Sequence, residues 1–89
     1  MPLFERPEGP GDNLRLLTGV GPVIEGKLHA MGVTRYDQIA RFSPEDLSRL
    51  DAALNLRGRV ARDNWAGQAE ALARGGVDEH RRLFGKDPR

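Results

Sequence analysis

Arg57, Arg59 and Arg62 place three guanidinium groups in a six-residue stretch free of carboxylates, with Asp63 directly after it. Planar, bidentate guanidinium groups suit phosphates and carboxylates alike, so the cluster reads as a patch for an anion or an acidic partner. It reads equally as the solvated start of a helix, with Arg59 and Asp63 an i,i+4 ion pair. No constellation for catalysis accompanies it. Ser43 and Ser48 stand in no motif with His29 or His80. A metal-dependent nuclease would need Glu45, Asp46 and Asp51 as a cluster, but the first two are explained as first-turn residues of a helix. The expectation is therefore no catalytic residue, no metal site, no cofactor, and a domain that folds without either.

Composition narrows the classes further. The chain has 89 residues, 38% of them hydrophobic. That closes one modest core, burying roughly 60–65% of the unfolded surface. Cysteine is absent, which removes disulfides, thiol nucleophiles and cysteine-based metal sites. His29 and His80 lie too far apart in sequence to suggest a metal pair. No apolar run approaches the ~20 residues of a membrane span, and no signal peptide is expected ahead of the domain. Fourteen basic and thirteen acidic residues give a net charge of +1, far from the balance of a dedicated nucleic-acid binder. All but two of the bases are arginine, which reads as a high-GC bacterial genome.

The elements that must carry these residues are helices. Residues 1–11 hold three prolines and two glycines and read as an extended N-terminal arm. Asp12 or Asn13 caps a short first helix with Leu14, Leu16 and Leu17 inward. Pro22 stands at the first position of a second helix. Val23, Ile24, Leu28 and Met31 form its inner face, and Gly32 is its left-handed cap. Thr34 and Asp37 form the capping box of a third helix, whose apolar stripe is Tyr36, Ile39, Ala40 and Phe42. Tyr36 sits at the core edge with its hydroxyl in water. Ser43-Pro44-Glu45-Asp46 is the clearest helix start, followed by Leu47, Leu50 and Leu54. Residues 55–58 are a joint. A last long helix starts between Gly58 and Asp63, with Asp63 as a candidate cap, and runs to Ala73. Trp65, Ala69 and Leu72 pack its inner face. Gly75-Gly76 ends it, and residues 77–84 form one more short helical piece stopped by Gly85 and Pro88. There residues 79–82, His80 included, read as a solvated face, as does His29 on the second helix. The sum is an all-α fold, a compact bundle of about five short helices in residues 12–74, with an N-terminal arm (1–11) and a C-terminal tail (75–89). Leu3, Phe4, Val77, Leu83 and Phe84 are apolar residues in arms too short for a core. They read as partner-binding, mobile in the isolated protein and ordered in an assembly.

Gly19, Val20, Gly21 and Pro22 sit between the first two helices, in the stretch Leu17-Thr18-Gly19-Val20-Gly21-Pro22. Two glycines allow a tight turn, Val20 plugs it and Pro22 launches the next helix. With Leu28 and Gly32 following, the stretch resembles the hairpin of the helix-hairpin-helix family. The similarity continues through Phe42-Ser43, Leu50-Asp51, residues 54–60 and Asp63-Asn64-Trp65. These are similar to a subgroup also called helix-three-turn-helix-like, found in small proteobacterial proteins and fused to the C-terminus of some large-subunit ribosomal proteins. They also resemble the C-terminal extension of the E subunit of alphaproteobacterial NADH-quinone oxidoreductase, respiratory complex I. DNA-binding members point hairpin amides at a phosphate, helped by the helix N-terminus. Here the position that often carries Lys or Arg is Val23, and Glu25 stands where Ala is common.

Two functional readings follow. In the first the chain is a non-catalytic protein-interaction module. It is an accessory subunit of a larger assembly, which the resemblance implies is the cytoplasmic arm of complex I. Its partners are then protein subunits, and its place is cytoplasmic, peripheral to the inner membrane without insertion. In the second it is a small nucleic-acid-binding protein using Gly19–Gly21 and Arg57–Arg62. Net charge, Val23 and Glu25 favour the first and leave nucleic acid a weak ligand, in the non-specific range of ~10⁻⁴ to 10⁻⁶ M.

Overall fold

Proline or a short polar cap starts three of the five helices among the described residues. The computed structural model describes residues 3–85. In them a 3₁₀ turn, Leu14–Leu16, precedes five helices: α1 (Pro22–Ala30), α2 (Tyr36–Ala40), α3 (Pro44–Leu54), α4 (Arg59–Arg62) and α5 (Trp65–Phe84). No strand occurs among the described residues. The fold is all-α, and Pro88 lies outside the described residues. Asn13 caps the 3₁₀ turn by accepting the Arg15 N–H at 3.2 Å. Pro22 is the first residue of α1. Ser43 and Asp46 cap α3 reciprocally. The Ser43 hydroxyl accepts the Asp46 N–H at 3.1 Å, and the Asp46 carboxylate accepts the Ser43 N–H at 3.3 Å.

These helices enclose one core. Leu14, Leu17, Val20, Leu28, Val33, Ile39, Leu50, Val60 and Trp65 are all buried, each contributing about 1.5–3 kcal/mol of transfer free energy for a side chain of this size. The most extensive helix pairing is α2 on α5, with α3 packed on α4. Val23 departs from its expected inward place. It is 70% exposed, and Leu28, Ile24 and Met31 alone turn toward the core. Position 23 follows the first residue of α1, on the side the hairpin leaves open.

Several local expectations are corrected by longer-range contacts. Thr34 and Asp37 do not form a capping box, because α2 starts two residues later, at Tyr36. Its leading N–H is taken instead by the Asp12 carboxylate at 2.8 Å, from 24 residues away. The Tyr36 hydroxyl does not reach water but donates to the Asn13 carbonyl. Burial, and then the negative charges of Asp12 and Glu25, push its pKa up to about 12. No single long helix runs from the 58–63 region. Asn64 takes a left-handed conformation, φ 51°, and separates α4 from α5. Asn64, not Asp63, caps α5 by accepting the Gly67 N–H at 3.1 Å. Asn tolerates that conformation better than most residues. The Asn64 amide fills the space that a β-carbon at Gly67 would take, so a larger residue there would displace the cap.

The chain ends of the described region lie on the domain. The Phe4 N–H donates to the Met31 carbonyl at 2.8 Å, and the Phe4 ring stacks on Phe42 with centroids 4.6 Å apart. The Phe4 carbonyl occupies the space a β-carbon at Gly32 would need. Gln38 donates to the Glu5 carbonyl and Arg35 to that of Glu8. At the other end Gly76, φ 67° and ψ −152°, breaks the helical path inside α5. Glu79 braces the break, accepting from Arg74 on one side at 2.8 Å and from Arg82 on the other at 2.6 Å. Those bonds hold its carboxyl down at about 2. The reading of residues 79–82 as a solvated face is corrected at His80, which is 1% exposed.

Candidate functional site

Three candidate features come from the sequence, and the structure places each one. The first is the hairpin. Gly19 has φ 85° and needs glycine, and Val20 fills the turn at 3% exposure. Gly21 is extended and caps α1 with no side-chain hydrogen bond. Nothing lies within 4 Å of where its β-carbon would stand, so the turn faces outward there. The outward face carries little positive charge. Val23 is exposed, and Glu25 pairs with Arg15 at 3.4 Å.

The inner side of the hairpin is held by a polar network. Gln68 lies buried on α5. Its side-chain oxygen accepts from the Thr18 N–H at 3.2 Å and from the Thr18 hydroxyl at 3.1 Å. Its amide nitrogen donates to the Asp63 carbonyl, which fixes the amide orientation. His80 Nε2 is 3.1 Å from that same Gln68 oxygen. An amide oxygen only accepts, so Nε2 carries a proton and donates to it. Nδ1 is buried without a partner. Trp65 Nε1 donates to the Thr18 carbonyl at 3.0 Å. Trp65 was legible as core from its spacing. Gln68 and His80 were missed. The available signal was a lone polar side chain three residues after Trp65, on the same apolar stripe.

The second feature is the arginine cluster. Asn55, Arg57 and Gly58 all have positive φ, at 55°, 56° and 92°, so the α3–α4 joint is a tight left-handed turn. Asp51 closes it from below. Its carboxylate accepts the Gly58 N–H at 3.0 and 3.1 Å and the Val60 N–H at 3.1 Å. Asp51 is thereby assigned to holding this joint. Arg57, Arg59 and Arg62 line one open hollow with Asn55 and Leu56. The expected Arg59–Asp63 pair is replaced by Arg62–Asp63 at 3.7 Å, because Asp63 has left the helix and turned toward its neighbour.

The third feature is the pair of arms. Phe4 is half-buried against Phe42, and Phe84 rests on the His80 ring with centroids 4.7 Å apart. Leu3 and Leu83 remain exposed. Among the described residues no helix is long and apolar enough to cross a membrane.

A glycine turn plugged by Val20, between a short 3₁₀ element and a proline-led helix, inside a bundle of five short helices, defines a helix-hairpin-helix domain. Residues 14–73 match the RS2/RL21/YNQ2 HHH domain, and the chain belongs to that family. Similar proteins include the large ribosomal subunit protein bL21 of Hyphomonas neptunium, 48% identical over 64 residues, which are 72% of this chain and 31% of that protein. The small ribosomal subunit protein uS2 of a Methylobacterium species is 49% identical over 70 residues, 79% of this chain and 20% of the other. That of Methylorubrum extorquens is 51% identical over 66 residues, 74% and 19% of the two chains. The chain thus spans about a third or less of the length of the curated relatives it matches. No solved structure matches it.

These relatives correct the expectation of a complex I accessory subunit. The helix-hairpin-helix resemblance stands, but the likeness to the E-subunit extension is not supported. With it go the complex I partners and the place beside the inner membrane, because the similar proteins belong to the two ribosomal subunits.

Proposed function

We propose that this chain is a non-catalytic docking module that works on the ribosome. The observation that carries the reading is its membership of a domain family whose members include proteins of both the large and the small ribosomal subunit. A domain attached to proteins of two different subunits serves as a portable contact, not as part of one subunit's architecture. The interior agrees with such a role. The polar side chains that converge, Thr18, Gln68 and His80, bond to each other and hold the hairpin in shape. Exposed Leu3, Val23, Val77 and Leu83 are the large apolar side chains that the described residues leave open to a protein neighbour.

The test is sedimentation. A lysate of cells making the tagged full chain is resolved on a sucrose gradient, and the chain is followed across the fractions. Migration with a ribosomal subunit or the assembled ribosome is expected. Recovery only in the free-protein fractions, at low and moderate salt alike, would remove the reading.

A further inference from the structure

We propose that the hollow lined by Arg57, Arg59 and Arg62 is a phosphate-contacting site that seats the sugar–phosphate backbone of folded RNA. The inference rests on the ribosomal reading and names the surface through which it acts. Three cations without a close carboxylate stand together here, whereas Arg6, Lys27 and Arg41, which also lack an ion pair among the described residues, lie on separate segments. Arg15, Arg35, Arg49, Arg74 and Arg82 are paired with carboxylates, at 3.4 Å or less. Arg57 and Arg59 have no ion pair among the described residues, and Arg62 has only the loose contact with Asp63 at 3.7 Å. All three side chains are exposed and border the same hollow.

The backbone beneath is built to present them. Arg57 holds a left-handed conformation, φ 56°, that costs an arginine roughly 1–2 kcal/mol and that glycine or asparagine would adopt more easily. Asp51 already satisfies the Gly58 and Val60 amides. An incoming anion is therefore met by guanidinium groups and not by backbone N–H groups. This differs from a hairpin that offers amides to a phosphate. The hairpin of this chain is also poorly suited, with Val23 exposed beside it and Glu25 neutralising Arg15.

RNA fits better than an acidic protein. Protein interfaces are anchored by apolar or aromatic side chains at their centre, and the apolar residue of this hollow, Leu56, is packed against the core. The family's occurrence in proteins of both subunits points the same way. A contact usable on either subunit must read something both present, and phosphodiester backbone read without sequence is such a feature.

The experiment uses the full chain and a fluorescein-labelled RNA hairpin of arbitrary sequence, followed by anisotropy. Three neutralised phosphates give a log–log salt slope of about −2.7, hence about 40-fold weaker binding between ~50 and ~200 mM salt. The triple variant R57Q/R59Q/R62Q is expected to bind at least ~10-fold more weakly at ~50 mM salt and to lose most of that slope. R57K/R59K/R62K keeps the charge and should retain most of the binding and slope, which separates charge from turn integrity. R41Q, an exposed arginine elsewhere, and G21E, at the hairpin, should bind like the parent chain. The proposal is overturned if the parent chain does not bind the RNA, or if the glutamine triple variant binds within about twofold of it. It is also overturned if G21E loses as much, or if a glutamate-rich peptide binds more tightly than the RNA. Sedimentation separates this site from the reading beneath it. If parent and triple variant both travel with ribosomes, the ribosomal role holds and the phosphate site falls. If the parent does not, the ribosomal role falls.

Discussion

Replacing Gln68 by Leu keeps a side chain of similar bulk, one atom shorter, but removes the group that ties three segments together. Gln68 serves Thr18 in the hairpin, Asp63 at the α4–α5 turn and His80 beyond the Gly76 break. The variant leaves the Thr18 N–H, the Asp63 carbonyl and the His80 Nε2–H without their partner. An unsatisfied buried group costs about 1–3 kcal/mol. His80 is fully buried and falls near the middle, about 2 kcal/mol. Thr18 and Asp63 are half-buried and recover water, leaving about 0.5–1 kcal/mol each. The added leucine burial returns a fraction, so the net loss is about 3 kcal/mol. For a domain of this size that is a drop of roughly 12–24 °C in Tm, read by far-UV circular dichroism. The double variant Q68L/H80L removes the stranded donor as well and should be more stable than the sum of the single losses by about 1–2 kcal/mol. A Q68L Tm within about 4 °C of the parent, or strict additivity in the double variant, would refute the network as described.

Three further outcomes follow from other contacts. Asp51→Ala strands the Gly58 and Val60 amides at the arginine-bearing joint and should cost about 1–2 kcal/mol in urea unfolding, with Asp51→Asn recovering part of it. Tyr36 is held neutral in the fold, with its pKa pushed from 10.0 to about 12. Its contribution is complete below pH 10.0 and lost as pH rises toward 12, so the stability difference between parent and Tyr36→Phe should fall across that window in denaturant titrations. Glu79 runs the other way, held down from 4.5 to about 2. Its contribution is complete above pH 4.5 and lost as pH falls toward 2, so Glu79→Gln should lack that segment of the acid-unfolding profile.

What the sequence disclosed was local chemistry. Ser43, Pro44 and Asp46 cap α3 because the capping geometry closes within four residues, and Pro22 starts α1 for the same reason. Gly32 was legible as left-handed, and it has φ 90°. Trp65 was legible from the spacing of its stripe. The misses lie where a distant residue decides. Asp12 caps α2 across 24 residues and displaces the Thr34–Asp37 box. Asn64 turns left-handed where its side chain fills the space beside Gly67 and the next residue, Trp65, bonds to distant Thr18. His80 looked solvated among arginines. Only the Gly76 break carries it back onto Gln68, and no periodicity reports the direction of such a break. The arginine cluster was visible as composition. Its hollow was not, because it depends on three left-handed residues, Asn55, Arg57 and Gly58, within four positions. Family likeness carried the hairpin correctly and the assembly wrongly, since a portable domain keeps its fold while its host proteins change.

Gly76 has a consequence beyond the shape of one protomer. Its backbone angles, φ 67° and ψ −152°, belong to a region that essentially only glycine occupies. An alanine there would favour an uninterrupted helix, carrying residues 77–84 outward by about 12 Å at the α-helical rise. The straightened limb would still display His80 and Phe84, and the vacated surface around Gln68 would still accept them. The acceptor offered by a second copy is chemically identical to the one left behind, which is the condition for domain swapping. Gly76 thus keeps that limb folded onto its own chain, where one added methyl group would favour its release.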